Sequence, residues 1–188
     1  MLENQIKEKI LQMLTETKTK NPIEVFLKIV KSDFIPMHGP IHHIIDGASF
    51  LCAFYNACGN INLNESFAEL CNRAEQMPGA MCGYWGVCGA VTSIGAALSI
   101  IEKTGPLSTS DWGSHMVYTS KSLEELSKTG GPRCCKRNGI LALQTAVNYI
   151  NENQNQFGVV LEKTFVKCEF SSKNQQCLKK GCPFYESK

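Results

Sequence analysis

Glycine and proline cut this chain into helix-length pieces, and several of its cysteines lie at or beside the cuts. The breaks are DFIPMHGPIHH, with Pro36, Gly39 and Pro40, then PGAMCGYWG, then TGGPRCC. A helix running through such residues loses hydrogen bonds or backbone entropy, so each break ends one element and opens another. Between the breaks the apolar spacing is helical. Leu2, Ile6, Ile10 and Leu14 recur every four residues, and Asn21-Pro22-Ile23-Glu24 reads as an N-cap, a first-turn proline and an N3 acid opening a helix to about Lys31. Further helices are expected over about 43–57, 65–76 (capped by Asn64), 87–102, 111–128 and 136–151. The piece at 87–102 is rich in Ala and Gly, which lets neighbouring backbones come close. Residues 159–170 look β-like. The expected fold is mostly α: a compact single-domain helical bundle over 1–158, with cysteine-bearing loops at helix starts. A short irregular or β-like cysteine-rich extension follows over 159–188.

At 188 residues, with 43% hydrophobic and 19% charged side chains, the chain can bury most of the surface its unfolded form exposes. A net charge of +2, with both signs interspersed, gives no electrostatic reason to expect nucleic acid as a partner. Glu3, Lys7, Glu8 and Lys9 interrupt the apolar rhythm that a signal peptide would need. The most apolar run, 86–101, is short for a bilayer span and holds Thr92, Ser93 and several glycines, so no membrane partner is expected. A cytoplasmic location follows as the expectation. Thiols stay reduced there, which favours metal binding or catalysis over disulfides.

Ten cysteines are present. Seven fall in loops: Cys82 and Cys88, the adjacent Cys134 and Cys135, and Cys168, Cys177 and Cys182 near the end. Thiolates bind soft metals where flexible loops let several sulfurs converge, and helix starts lower thiol pKa and donate N–H groups to sulfur. Cys52, Cys58 and Cys71 lie within helical patterns and are expected in the core. Paired C-x2-C knuckles are absent, so the spacing favours an iron–sulfur cluster of the 4Fe–4S type over zinc, which stays as the alternative. Seven ligands exceed the four that one cluster needs. The terminal trio therefore reads as a separate group, a second cluster or a metal staple.

His38, His42 and His43 crowd one loop, where they are candidates for general acid–base work or ligation, against capping or core roles. Lys136, Arg137 and Asn138 follow the cysteine pair at a helix start, a place suited to an anionic carboxylate. His115 reads as structural. No phosphate-binding loop, dinucleotide fingerprint, nucleophile elbow or radical-SAM cysteine triplet occurs.

At HGPIHH, PGAMCGYWGVCGA, TGPLS and GGPRCCKRN, and over most of its length, the chain resembles a prokaryotic cysteine-rich family sometimes joined to radical-SAM or methyltransferase domains. That resemblance implies such a protein as a partner but no particular reaction. Cys134-Cys135-Lys136-Arg137-Asn138-Gly139-Ile140 is also similar, more distantly, to the ligand-cysteine helix start of iron–sulfur L-serine dehydratases. Cys82 and the helix AVTSIGAALSII are similar to their other cysteine-to-helix element. Those enzymes, like the related cysteine desulfidases, hold a 4Fe–4S cluster by three cysteines and leave one iron open to the substrate's leaving group. The resemblance implies Cys82 and Cys134 as ligands. Their third ligand lies in a Cys-Asp-Pro segment absent here, so Cys88 or Cys135 would take its place. It further implies a non-redox lyase or desulfurase for a small polar or sulfur-containing substrate, with His42 or His43 as base. An electron- or sulfur-transfer accessory is the competing reading, and a structural zinc domain is a third.

Overall fold

The computed structural model describes residues 2–186, and among them nine α-helices and no strand. The helices are α1 (Leu2–Glu16), α2 (Pro22–Val30), α3 (Ile41–Asn56), α4 (Leu63–Ala74), α5 (Met81–Tyr84), α6 (Gly89–Glu102), α7 (Ser114–Thr129), α8 (Cys135–Glu152) and α9 (Gln154–Phe157). A 3₁₀ turn covers Lys179–Gly181. Met1, Ser187, Lys188 and the Leu2 side chain, which the sequence pattern places on the inner face of α1, lie outside the described residues.

The breaks act as the residue chemistry dictates. Asn21 accepts the Ile23 N–H at 3.0 Å and Pro22 opens α2. Pro40 stands at the N-cap of α3. The cap of α4 is Asn62, not Asn64. Asn62 holds an extended backbone and its Oδ1 accepts from Asn64 and Glu65, so Asn64 falls inside the first turn.

Helix α3 is the axis of the molecule, with α1, α2, α4, α6 and α8 packed around it. Ile45, Ala48, Phe50, Leu51, Cys52 and Ala53 are fully buried along it. Each large one contributes about 1.5–3 kcal/mol by leaving water. The small-residue helix α6 lies closest. A Cβ on Gly47 would meet Ser93 Oγ at 2.6 Å and Ser93 O at 2.8 Å, while the Gly47 N–H donates to Ser93 Oγ at 2.9 Å. Helix α7 packs on α6 and α8, and buried Tyr118 donates to Ala142 O at 3.1 Å. No helix among the described residues is long and apolar enough to cross a membrane.

Two expectations are corrected here. Cys52 and Cys71 are buried, but Cys58 is exposed. It follows the end of α3 in a left-handed conformation with φ of 67°, where the helix has already stopped. The β-like stretch at 159–170 is irregular and forms no strand among the described residues. Val159, Leu161 and Val166 are buried because the segment drapes over helices. The Asn151 side chain supplies the pairing, donating to Leu161 O and accepting from Leu161 N, both at 2.9 Å. The Glu162 N–H goes to Lys20 O at 3.1 Å.

Candidate functional site

Four of the seven loop cysteines stand at helix starts. Cys88 is the N-cap of α6, Cys134 is the N-cap of α8, and Cys135 is the first residue of α8. Cys82 lies in the single turn of α5. Successive residues at a helix start point about 100° apart, and this separates the adjacent pair. Cys134 lines a small cavity, about 20 Å³, together with Cys168, Cys177 and Cys182 of the C-terminal segment. Cys135 instead lies within electrostatic reach of Asp46 and Cys88, besides its neighbour Cys134, and lines neither that cavity nor the cleft described next.

Cys82 and Cys88 line a cleft of about 830 Å³ between the 80–88 loop, α7 and the start of α8. Arg133, Arg137, Asn138 and Glu124 are also on its wall. The sulfurs behind this cleft are held by N–H donors. The Asn138 amide donates to Cys88 Sγ at 3.5 Å, the Ala90 N–H also serves Cys88, and the Gly39 N–H serves Cys135. Burial nevertheless pushes both thiols up, Cys135 to about 11, with the nearby charges adding to it. Such thiols give up their protons when a metal replaces them, and the N–H donors then stabilise the thiolate. In its donors the set fits an iron–sulfur cluster. Among the described residues, however, no three His, Cys, Asp or Glu side chains are already drawn to the spacing that holds a metal ion.

The three loop histidines pack behind the cysteines, and none of them lines the cleft. His38 Nε2 lies 3.2 Å from Asn174 Oδ1 in the C-terminal segment. His42 is 1% exposed, and burial next to the Lys136 ammonium holds it down to about 3, so it is a neutral ring. Its Nε2 stands 3.0 Å from Pro36 O and 3.1 Å from Lys136 Nζ, serving one partner at a time as donor or acceptor. Burial also lowers His43, which hydrogen-bonds the Met77 backbone and packs so closely on Gly89 that no Cβ fits there.

The Lys136, Arg137 and Asn138 side chains are engaged by the protein itself. Lys136 donates to Pro36 O at 2.7 Å and Met37 O at 3.2 Å, which ties the histidine loop to α8. Burial lowers its pKa to about 8, against the opposing pull of Cys135, Cys134 and Asp46. Arg137 donates to Gly130 O at 2.9 Å and Pro132 O at 3.0 Å, which fixes the GlyGlyPro break.

Asp46 is the residue that the sequence reading missed. It is 1% exposed on α3, one Oδ atom has no hydrogen-bond partner, and burial raises its carboxyl well above 3.8 despite Lys136. Its signal was an acid in an otherwise apolar stretch, three and four residues beyond His43 and His42, where a helix brings such positions onto one face.

A model of a family of unknown function, DUF5714, matches residues 10–185. No curated protein and no solved structure matches the chain. The match takes in both cysteine helix starts and the terminal cysteine segment, and the chain belongs to this DUF5714 family.

Proposed function

We propose that this protein carries an iron–sulfur cluster on Cys82, Cys88 and Cys135 and acts as a non-redox lyase or desulfurase on a small polar or sulfur-containing molecule in the adjoining cleft. The observation that carries the reading is the split of the adjacent cysteines. With Cys134 on the other cavity, Cys82 and Cys88 remain on the cleft wall and Cys135 lies within electrostatic reach of Cys88, a set of three thiols, one fewer than full ligation of a 4Fe–4S cluster requires. A cluster bound this way supplies a Lewis-acidic iron with a free position, which stabilises a hydroxyl or thiol as a leaving group.

The chain's own residues supply the rest. Arg133, exposed on the cleft wall, suits a substrate carboxylate, and Asn138 steadies Cys88. Glu124 is the carboxylate on that wall and is the group positioned to accept a proton. His42 and His43 hold the loop and the packing behind the sulfurs. The test is anaerobic purification with iron and acid-labile sulfide analysis. Acid-labile sulfide and the iron that matches it should be present and be lost together in Cys88→Ala and Cys135→Ala. Full retention of both in these variants would sink the assignment.

A second reading rests on Tyr84 and Trp85, which are 85% and 69% exposed beside Cys82. Exposed aromatics at a cluster's edge suit a docking rim for a radical-SAM or methyltransferase protein that receives electrons or sulfur. Reversible one-electron reduction, with no spectral change on adding hydroxy- or thiol-bearing substrates, would favour that reading.

A further inference from the structure

Two buried cations at the start of α8 form no ion pair among the described residues, the buried Asp46 carboxyl being the acid within reach of Lys136. Lys136 and Arg137 are 2% and 4% exposed, and among the described residues neither pairs with a carboxylate. Their partners are neutral backbone carbonyls, a histidine ring, the Asn138 side chain and, 5.6 Å from the Lys136 ammonium, the face of the Phe170 ring. Buried charges are ordinarily matched by an opposite charge or by a metal centre. Both side chains line the small cavity ringed by Cys134, Cys168, Cys177 and Cys182.

The geometry points to a mononuclear tetrathiolate site in that cavity, with a single zinc or ferrous ion held by Cys134, Cys168, Cys177 and Cys182. Four thiolates around a divalent ion leave a net charge of about −2, which matches the two cations beside it. Three of the four sulfurs already accept backbone N–H groups: Arg137 N to Cys134 at 3.4 Å, Phe170 N to Cys168 at 3.4 Å and Lys179 N to Cys177 at 3.3 Å. Such donors favour the charged thiolate over the thiol. The cavity of about 20 Å³ has room for little more than one water-sized body, whereas a cubane cluster needs space for eight atoms. Met37, Ile140, Leu178, Phe170 and Phe184 make most of the remaining wall, with Ser171 and Asn174, a largely apolar lining of the kind that suits a structural site with four protein ligands. Binding exchanges the thiol protons for the ion and moves no electrons. Its consequence is mechanical, because three ligands from the terminal segment become fastened to one from α8.

The site is tested on anaerobically purified full-length protein by measuring zinc, iron and acid-labile sulfide. About one equivalent of zinc or iron should be present beyond the iron matched by sulfide. Cys177→Ser and Cys182→Ser should lose that equivalent and keep the sulfide. A preparation in which the unmatched metal is zinc identifies zinc as the native ion, and one in which it is iron identifies iron. Loss of sulfide along with the metal would overturn the mononuclear site in favour of a cluster, and unchanged metal content would overturn the ligand set. Should the serine variants fail to fold, cobalt(II) added to metal-depleted wild-type protein decides. Intense thiolate-to-cobalt absorption with tetrahedral bands, and joint protection of these four cysteines from alkylation, support the site. Octahedral spectra or protection of a different set overturn it. Because Cys88→Ala reports on sulfide and Cys177→Ser on unmatched metal, the cleft centre and this site fail separately.

Discussion

Asp46 and His42 sit one helical turn apart on α3, both buried, and pull the pH dependence of stability in opposite directions. His42 is neutral in the folded protein down to about pH 3 but takes a proton near 6.5 when unfolded. The unfolded chain therefore binds more protons in that window, and His42 costs stability as pH falls below 6.5. Asp46 stays protonated in the folded protein well above 3.8, where the unfolded chain has already ionised. It therefore costs stability as pH rises above 3.8. Each slope is at most about 1.4 kcal/mol per pH unit. Asp46→Asn should be more stable than wild type at pH 8, and the gain should shrink toward pH 4. Urea midpoints at the two pH values measure it, and a pH-independent difference contradicts the buried-acid account. Lys136→Ala should cost about 1–3 kcal/mol in urea unfolding by stripping a donor from Pro36 and Met37. Lys136→Arg should not restore it, because a flat guanidinium cannot take the place of a compact ammonium among these acceptors.

At the scale of elements, the close approach of α3 and α6 rests on one position. Gly47→Ala drives a methyl into Ser93 and Leu70, and thermal melts should show a loss of about 1–3 kcal/mol. Much of this architecture was legible in the sequence because the punctuation is local. Asn21-Pro22 and the loops before α3, α6 and α8 announce helix starts in their own residues. The placement of cysteines at helix starts was legible for the same reason. The terminal segment was not, since its alternating burial mimics a strand while its backbone is satisfied by the Asn151 side chain, a partner distant enough that no local pattern reveals it. Cys58 misled because apolar periodicity carries on past the point where α3 ends. The pairing of Cys134 with the tail was equally hidden. That adjacent side chains diverge at a helix start is general geometry, but what each one meets is decided by tertiary packing.

For the whole molecule, the C-terminal segment is attached by a handful of apolar anchors, among them Val166, Phe170 and Phe184, and by the proposed ion. A helical core that closes on its own side chains should survive removal of that ion, whereas the segment should not stay bound. After treatment with a strong chelator, trypsin should cut first at Lys167, Lys173, Lys179 and Lys180. Far-ultraviolet circular dichroism should keep its helical signal meanwhile. Simultaneous loss of helix and tail would show that the ion supports the entire fold.

The peptide bond between Cys134 and Cys135 spans two environments, the small cavity that Cys134 lines and the surroundings of Cys88 and Asp46 that Cys135 meets. If both proposed centres were loaded, it would be a covalent link of one residue between two ligand sets, too short to let either shift independently. Thermodynamic reciprocity then applies. Whatever filling one proposed site would do to affinity at the other, the reverse would hold by the same factor, so any coupling through the tandem cysteines would show as cooperative metal uptake that a residue inserted between Cys134 and Cys135 should weaken.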